Sequence, residues 1–313
     1  MQQITISDPL QLECGETISN VKIGYHTFGQ LNEDKSNVVW IFHALTGNSD
    51  PTEWWPGMVG EDCLIDPNKH FIICANMLGS CYGSTEPEDF NFPLVTIKDQ
   101  VKCFKLLRSH LKVDKIKIGI GGSMGGQQLL EWTLQEPNLF EVIVPIGTNA
   151  QHSPWGIAFN ESQRMAIKID PVKGIETARA IAMLSYRHYN TYKETQSDSD
   201  NRSDDFSASS YQRYQGEKLK KRFSSFSYYY LSKAMDSQNV GRSFESIEAA
   251  LKRIKSKAVV IGIDTDVLFP VEEQKFIADN IPNAEFHELE SLYGHDGFLI
   301  ETKQLSEILG SVV

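Results

Sequence analysis

Cysteine is sparse in this chain and shows no pairing pattern: there are five, an odd number without close C-x-x-C spacing. That suggests neither a disulfide framework nor a zinc ribbon. No apolar run approaches the roughly 18 residues of a membrane-spanning helix. The opening MQQITISDPL has no basic segment followed by an apolar core, so neither an anchor nor an export signal is expected. Positive charge is also scarce. With 30 Lys and Arg against 41 Asp and Glu the formal charge is -11, the wrong sign for holding a phosphate backbone as a main task. What remains is an acidic protein of the reducing cytoplasm with no nucleic-acid or membrane partner. Its 313 residues suffice for one large α/β domain, or one domain carrying an insertion.

What the chain does have is a sheet pattern, interrupted once. Residues 1 to 35 alternate apolar and polar positions around turn residues, as antiparallel strands at a sheet edge do. VVWIFHA (38 to 44), HFIICAN (70 to 76) and EVIVPIG (141 to 147) are nearly continuous apolar runs. Such runs are expected of central parallel strands covered on both faces, with working loops at their C-terminal ends. Between them, Thr96 can cap a helix whose stripe is Val101, Phe104, Leu107 and Leu111. From 149 to 255 helical spacing replaces the strand signal, which reads as an inserted cap between core segments 1 to 148 and 256 to 313. Within it, ETQSDSDNRSDDFSASS (194 to 210) is nearly free of apolar residues and reads as a mobile, solvated loop without chemistry. The strand pattern returns at KAVVIGIDTD (257 to 266), followed by a helix near 270 to 280 and a short strand, AEFHEL.

Chemistry concentrates at GGSMG (121 to 125), a G-x-S-x-G between the alternating Ile116, Ile118, Ile120 and a helical segment bearing Leu129, Leu130 and Trp132. In that context the motif is a strained strand-to-helix turn that exposes the Ser123 hydroxyl, with the Met124 backbone N–H facing a developing oxyanion. A serine hydroxyl needs a base, and the base an orienting acid. His295 in YGHDGF is the candidate base, and Asp264 or Asp266 the acid, in the chain order Ser, Asp, His. Spacing does not choose between the two aspartates. The second oxyanion donor is expected in HALTGNS, at Leu45. His26, His43, His70, His110, His152, His188 and His287 show no ligand spacing, so they are read as ordinary histidines and no metal is expected.

With these pieces in place the chain resembles, over nearly its whole length, the homoserine O-acetyltransferase family of α/β-hydrolase-fold acyltransferases. The carriers include HALTGNSD (43 to 50), NMLGSCYGSTEP (76 to 87), GGSMGGQQLLEW (121 to 132), GIETARAIAMLSYR (174 to 187), AMDSQNVGR (234 to 242), TDVLFP (265 to 270) and YGHDGFL (293 to 299). The resemblance implies an α/β-hydrolase fold, with a mostly parallel sheet and an inserted helical cap. It implies Ser123, His295 and Asp266 as the triad, with Asp264 second. Arg179, Tyr186 and Asp296 become substrate contacts: a guanidinium grips an α-carboxylate and a carboxylate pairs with the α-ammonium. The implied reaction moves an acyl group from acetyl-CoA, or succinyl-CoA, to the hydroxyl of L-homoserine, with no bound cofactor, in methionine synthesis. L-serine as acceptor, or water in an esterase, are the alternatives. A homodimer through the cap is implied as well. KLKKR (218 to 222) reads as a solvated helix face in preference to a site for CoA phosphates, and FSSFSYYYL (223 to 231) equally as tunnel lining or cap packing.

Overall fold

Five consecutive apolar residues, Val38–Phe42, form strand β5, and all five are buried. Successive side chains of a strand point to opposite faces. Trp40 and Phe42 therefore join Phe104, Trp132 and Phe140 in an aromatic cluster on one face, while Val39 and Ile41 pack with Ile118, Ile120 and Ile261 on the other. Burial on both faces is why the run is apolar throughout, and each such side chain contributes about 1.5–3 kcal/mol on leaving water. The structure, a computed structural model, describes residues 1–310 and 312.

The other strands are β1 (Gln2–Ile6), β2 (Leu10–Gln11), β3 (Thr17–Ile18), β4 (Val21–Phe28), β6 (Phe71–Ala75), β7 (Ile116–Gly122), β8 (Phe140–Ile146), β9 (Lys257–Ile263) and β10 (Ala284–Leu289). β2 and β3 pair only with each other, and the rest form one eight-stranded sheet in the order β1-β4-β6-β5-β7-β8-β9-β10. β1 and β4 are the antiparallel edge expected from residues 1 to 35, and β6 through β10 are parallel. From β5 the chain steps to β6 on one side and later to β7 on the other. The strand order thus reverses at β5 and β7, and the crevice beyond their C-terminal ends is where such sheets bind ligands.

The helices of the sheet region are α1 (Pro51–Trp54), α2 (Ile97–His110) and α3 (Met124–Gln135). Thr96 caps α2 as expected: its hydroxyl accepts from Asp99 N–H while the Asp99 carboxylate accepts from Thr96 N–H. Between β8 and β9, which are neighbours in the sheet, the chain leaves to form α4 (Pro154–Ile169), α5 (Gly174–Tyr186), α6 (Tyr189–Thr195), α7 (Ser207–Lys220), α8 (Ser225–Asp236) and α9 (Ile247–Leu251). It then returns for α10 (Val271–Asn280), α11 (Gly297–Ile300) and α12 (Thr302–Leu309).

The stretch 194 to 210 differs from expectation at its end, because α7 already begins at Ser207. The Asp198 carboxylate accepts from both Ser207 N–H (3.2 Å) and Ser207 Oγ (2.6 Å), so a residue nine positions upstream caps this helix. Composition alone does not reveal that contact. The aromatic run resolves toward packing: Tyr228, Tyr229 and Tyr230 are buried, and Phe223, Phe90 and Phe92 meet them edge-on.

Candidate active site

β7 ends at Gly122 and α3 begins at Met124, so Ser123 alone makes the corner, at φ +57° and ψ −126°. A non-glycine residue held there costs about 1–3 kcal/mol and needs support from its surroundings. Ser123 N–H donates to Ile146 O (2.9 Å), and Thr148 Oγ1 donates to Ser123 O (2.8 Å). The flanking glycines let strand and helix approach: a Cβ on Gly121 would stand 2.6 Å from the carbonyl carbon of Gly125, and one on Gly125 would collide with the Phe42 carbonyl.

His295 lies in a short 3-10 turn, Gly294–Asp296, after β10. Its Nδ1 is 2.6 Å from Asp266 Oδ2, and both residues are buried. The other oxygen, Asp266 Oδ1, accepts from Leu268 N–H (2.8 Å) and Phe269 N–H (2.9 Å). A carboxylate only accepts, so Nδ1 carries the proton and the neutral ring keeps Nε2 as a proton acceptor. Asp264 goes elsewhere, its Oδ1 accepting from Ser291 N–H at 2.9 Å. Of the two aspartates that spacing leaves open, the structure brings Asp266 to the histidine.

Burial by itself would lower the His295 pKa; the charge of Asp266, the hydrogen bond to it and the charge of Asp296 outweigh burial and raise it above 6.5. Ser123 and His295 line one cavity of about 400 Å³. The Ser123 hydroxyl has no hydrogen-bond partner among the described residues and is free to meet a ligand in that cavity.

Of the two expected oxyanion donors, Leu45 lines the same cavity, and Met124 directly follows Ser123 in the chain. Met124 heads α3, so its N–H has no partner within the helix, and Leu45 sits in the turn closed by Gly47 N–H to Ala44 O (2.9 Å). Leu45 N–H likewise has no partner among the described residues. His43, read from sequence as an ordinary histidine, holds this turn: Nδ1 donates to Ala44 O (2.9 Å) and Nε2 accepts from Met77 N–H (3.4 Å). Burial pulls its pKa down to about 4, keeping it neutral and able to serve both bonds. The HALTG block marked the loop, but spacing gives no sign of a histidine turned back on its own strand.

Arg179, Tyr186 and Asp296 line the cavity too. The Arg179 guanidinium lies 5.3 Å from the centre of the Tyr186 ring, and that ring is 5.7 Å from the imidazole of His295. Arg179 pairs with no carboxylate among the described residues, whereas Asp296 faces Arg187, Nε to Oδ2 at 3.0 Å. Two residues of the basic stretch, Lys218 and Arg222, are exposed as expected of a solvated face and also line the cavity. Among the described residues no cluster of three or more His, Cys, Asp or Glu side chains could hold a metal ion, and no helix is long and apolar enough to cross a membrane. Such an arrangement can do nucleophilic acyl chemistry with an anion held beside it.

A family model described as alpha/beta hydrolase fold matches residues 37–302. The homoserine O-acetyltransferase of Cyclobacterium marinum is 47% identical, over 97% of this chain and 92% of that protein. Among solved structures, a homoserine O-acetyltransferase from Staphylococcus aureus superposes with a TM-score of 0.86 at 26% identity, covering 98% of this chain and 94% of that one. An acetylester hydrolase from Corynebacterium glutamicum superposes at 0.88 with 24% identity, covering 99% and 95%, a likeness of fold alone. Similarity that runs the length of the chain, on a parallel sheet with its elbow at Ser123, settles the affiliation: the chain belongs to the homoserine O-acetyltransferase family, on the α/β-hydrolase fold.

Proposed function

We propose that this protein transfers the acetyl group of acetyl-CoA to the side-chain hydroxyl of L-homoserine, with Ser123, His295 and Asp266 as its triad. The relatives that match along the whole chain carry that activity in their names. Ser123 Oγ attacks the thioester carbonyl and passes its proton to His295 Nε2, while the Leu45 and Met124 N–H groups hold the oxyanion. The tetrahedral adduct collapses, and the departing thiolate takes the proton from His295. Homoserine then gives its hydroxyl proton to His295, attacks the acetyl-serine, and leaves as the O-acetyl ester with Ser123 reprotonated.

The observation that carries the transferase reading over hydrolysis is Arg179, a guanidinium without a carboxylate partner among the described residues, in the cavity of the nucleophile. Water as acceptor gives it nothing to hold; an amino-acid carboxylate does. Asp296, turned toward Arg187 and the cavity, suits the α-ammonium. The helical insertion serves as a cap, as the domain division 1–148, 149–255 and 256–313 implies. It limits water near the acetyl-serine while the oriented alcohol gains an effective molarity of roughly 10⁵ M or more.

The test is thiol release from acetyl-CoA and succinyl-CoA, each with L-homoserine, L-serine or no acceptor. Release from acetyl-CoA that requires homoserine is the expected result; release indifferent to any amino acid would make the protein an esterase. Arg179→Ala should raise the homoserine KM by roughly 30- to 150-fold, about 2–3 kcal/mol, and leave the first turnover of acetyl-CoA unchanged. An unchanged KM would sink the carboxylate role.

Met165 and Ile169, one turn apart on α4, with Val172 just beyond it, are 58%, 85% and 68% exposed, a set of apolar side chains that suits a cap-to-cap homodimer. Sedimentation should show a dimer that Ile169→Asp weakens; a monomer at every concentration would refute it. The free cysteines and a CoA donor fit a cytoplasmic enzyme, which fractionation of the source cells would check.

A further inference from the structure

A donor that carries a diphosphate and a further phosphate is a polyanion, and this protein has a formal charge of -11. Something local must offset that repulsion if such a donor is to reach Ser123. The cavity offers three cations. Arg179, beside Tyr186, answers a small carboxylate; Lys218 and Arg222 line the same cavity, Arg222 against Thr46 and Tyr82.

Lys218 lies in the last turn of α7 and Arg222 two residues beyond its end, and both line the cavity. The ordinary explanation for lysines there is the negative end of the helix dipole, and it accounts for Lys220, whose ammonium pairs with Glu176 at 2.5 Å. It does not account for Arg222. That residue lies past the last helical residue and reaches across to the sheet region, donating through Nη1 to Thr46 O (2.6 Å) and Tyr82 OH (3.1 Å), and through Nη2 to Thr46 Oγ1 (3.4 Å). A guanidinium has five N–H donors. The Nε hydrogen and one on Nη2 are therefore left for a ligand. Lys218 is exposed and pairs with no carboxylate among the described residues, its Nζ lying 6.0 Å from the centre of the Tyr214 ring. The carboxylates of the cavity do not compete for these cations: Asp296 faces Arg187 and Glu53 accepts from Asn48 Nδ2 (3.0 Å).

We propose that Lys218 and Arg222 form the donor subsite, gripping the anionic, phosphate-bearing part of the acyl-thioester as it enters along the wall of Thr46 and Tyr82. This rests on acyl-CoA being the donor. Arg222 contacts Thr46, the neighbour of Leu45, so a donor bound there meets the same turn that carries an oxyanion N–H.

The experiment compares acetyl-CoA with S-acetyl-N-acetylcysteamine, a thioester without phosphates, as donors to homoserine. Lys218→Ala should raise the KM for acetyl-CoA about two- to fivefold, the range of one exposed ion pair, and leave the KM for the truncated donor unchanged. Lys218→Arg should restore it. Added salt should raise the acetyl-CoA KM of the native protein more than that of Lys218→Ala. Equal effects on both donors, or none on either, would overturn the subsite while homoserine-dependent thiol release still upholds the transferase. Absence of any thiol release from acetyl-CoA by the native protein would remove both, since no phosphate-bearing donor would then be in use.

Discussion

Ser123→Ala is expected to lower homoserine-dependent thiol release by about 10⁵- to 10⁶-fold, leaving only the small catalysis that oriented donors give without a nucleophile. Ser123 is the only serine among the residues lining the cavity, and no cysteine lines it, so no equivalent nucleophile stands beside the acid-held histidine. A second substitution separates lost chemistry from lost structure. Ser123 sits at φ +57°, a conformation that glycine adopts without strain. Ser123→Gly should therefore be as inactive as Ser123→Ala and yet unfold later, by about 1 kcal/mol in a denaturant titration. An alanine variant that keeps a hundredth of native activity would remove Ser123 as nucleophile. A glycine variant less stable than native would show that the corner is not strained.

The elbow was legible because its signal is local: glycines packed around one serine, an alternating strand before it and a helical stripe after it fix the corner within a dozen residues. The sheet was legible for a related reason, since a strand buried on both faces, such as Val38–Phe42, has to be apolar at every position. What sequence could not show depends on contacts between distant segments. Asp264 and Asp266 both follow closely on the end of β9, and the loop path alone sends one to Ser291 N–H and the other to His295. Lys218, Lys220 and Arg222 belong to one charged run, yet Lys220 pairs with Glu176 while the other two turn to the cavity. That division is set by how the helical insertion sits over the sheet, which no local spacing encodes. The start of α7 at Ser207 was hidden in the same way, its capping carboxylate coming from Asp198 across a loop.

Asp266→Asn should cost about 10⁴-fold in kcat, and the hydrogen bonds around Asp266 give the reason. Leu268 and Phe269 both donate N–H to Oδ1, so an asparagine there must place its carbonyl oxygen in that position. Its NH2 then faces His295 Nδ1, which must accept. The proton moves to Nε2, and the nitrogen required as base is blocked. The pH dependence should change as well. In the native protein the raised His295 pKa means that the base form appears only above an apparent pKa higher than 6.5, where the acid limb of kcat/KM should lie. Without the carboxylate, burial is left as the main influence and the limb should fall below 6.5. Stability has the opposite sense. A pKa raised on folding means that protonated His295 stabilises the native protein fully below 6.5, and this contribution disappears as pH rises through the raised value. The asparagine variant should lack that stabilisation at acid pH. A kcat within tenfold of native, with the acid limb unmoved, would detach Asp266 from the chemistry and return the acid to an open question; a low kcat with the limb displaced downward ties the rate and the titration to one carboxylate.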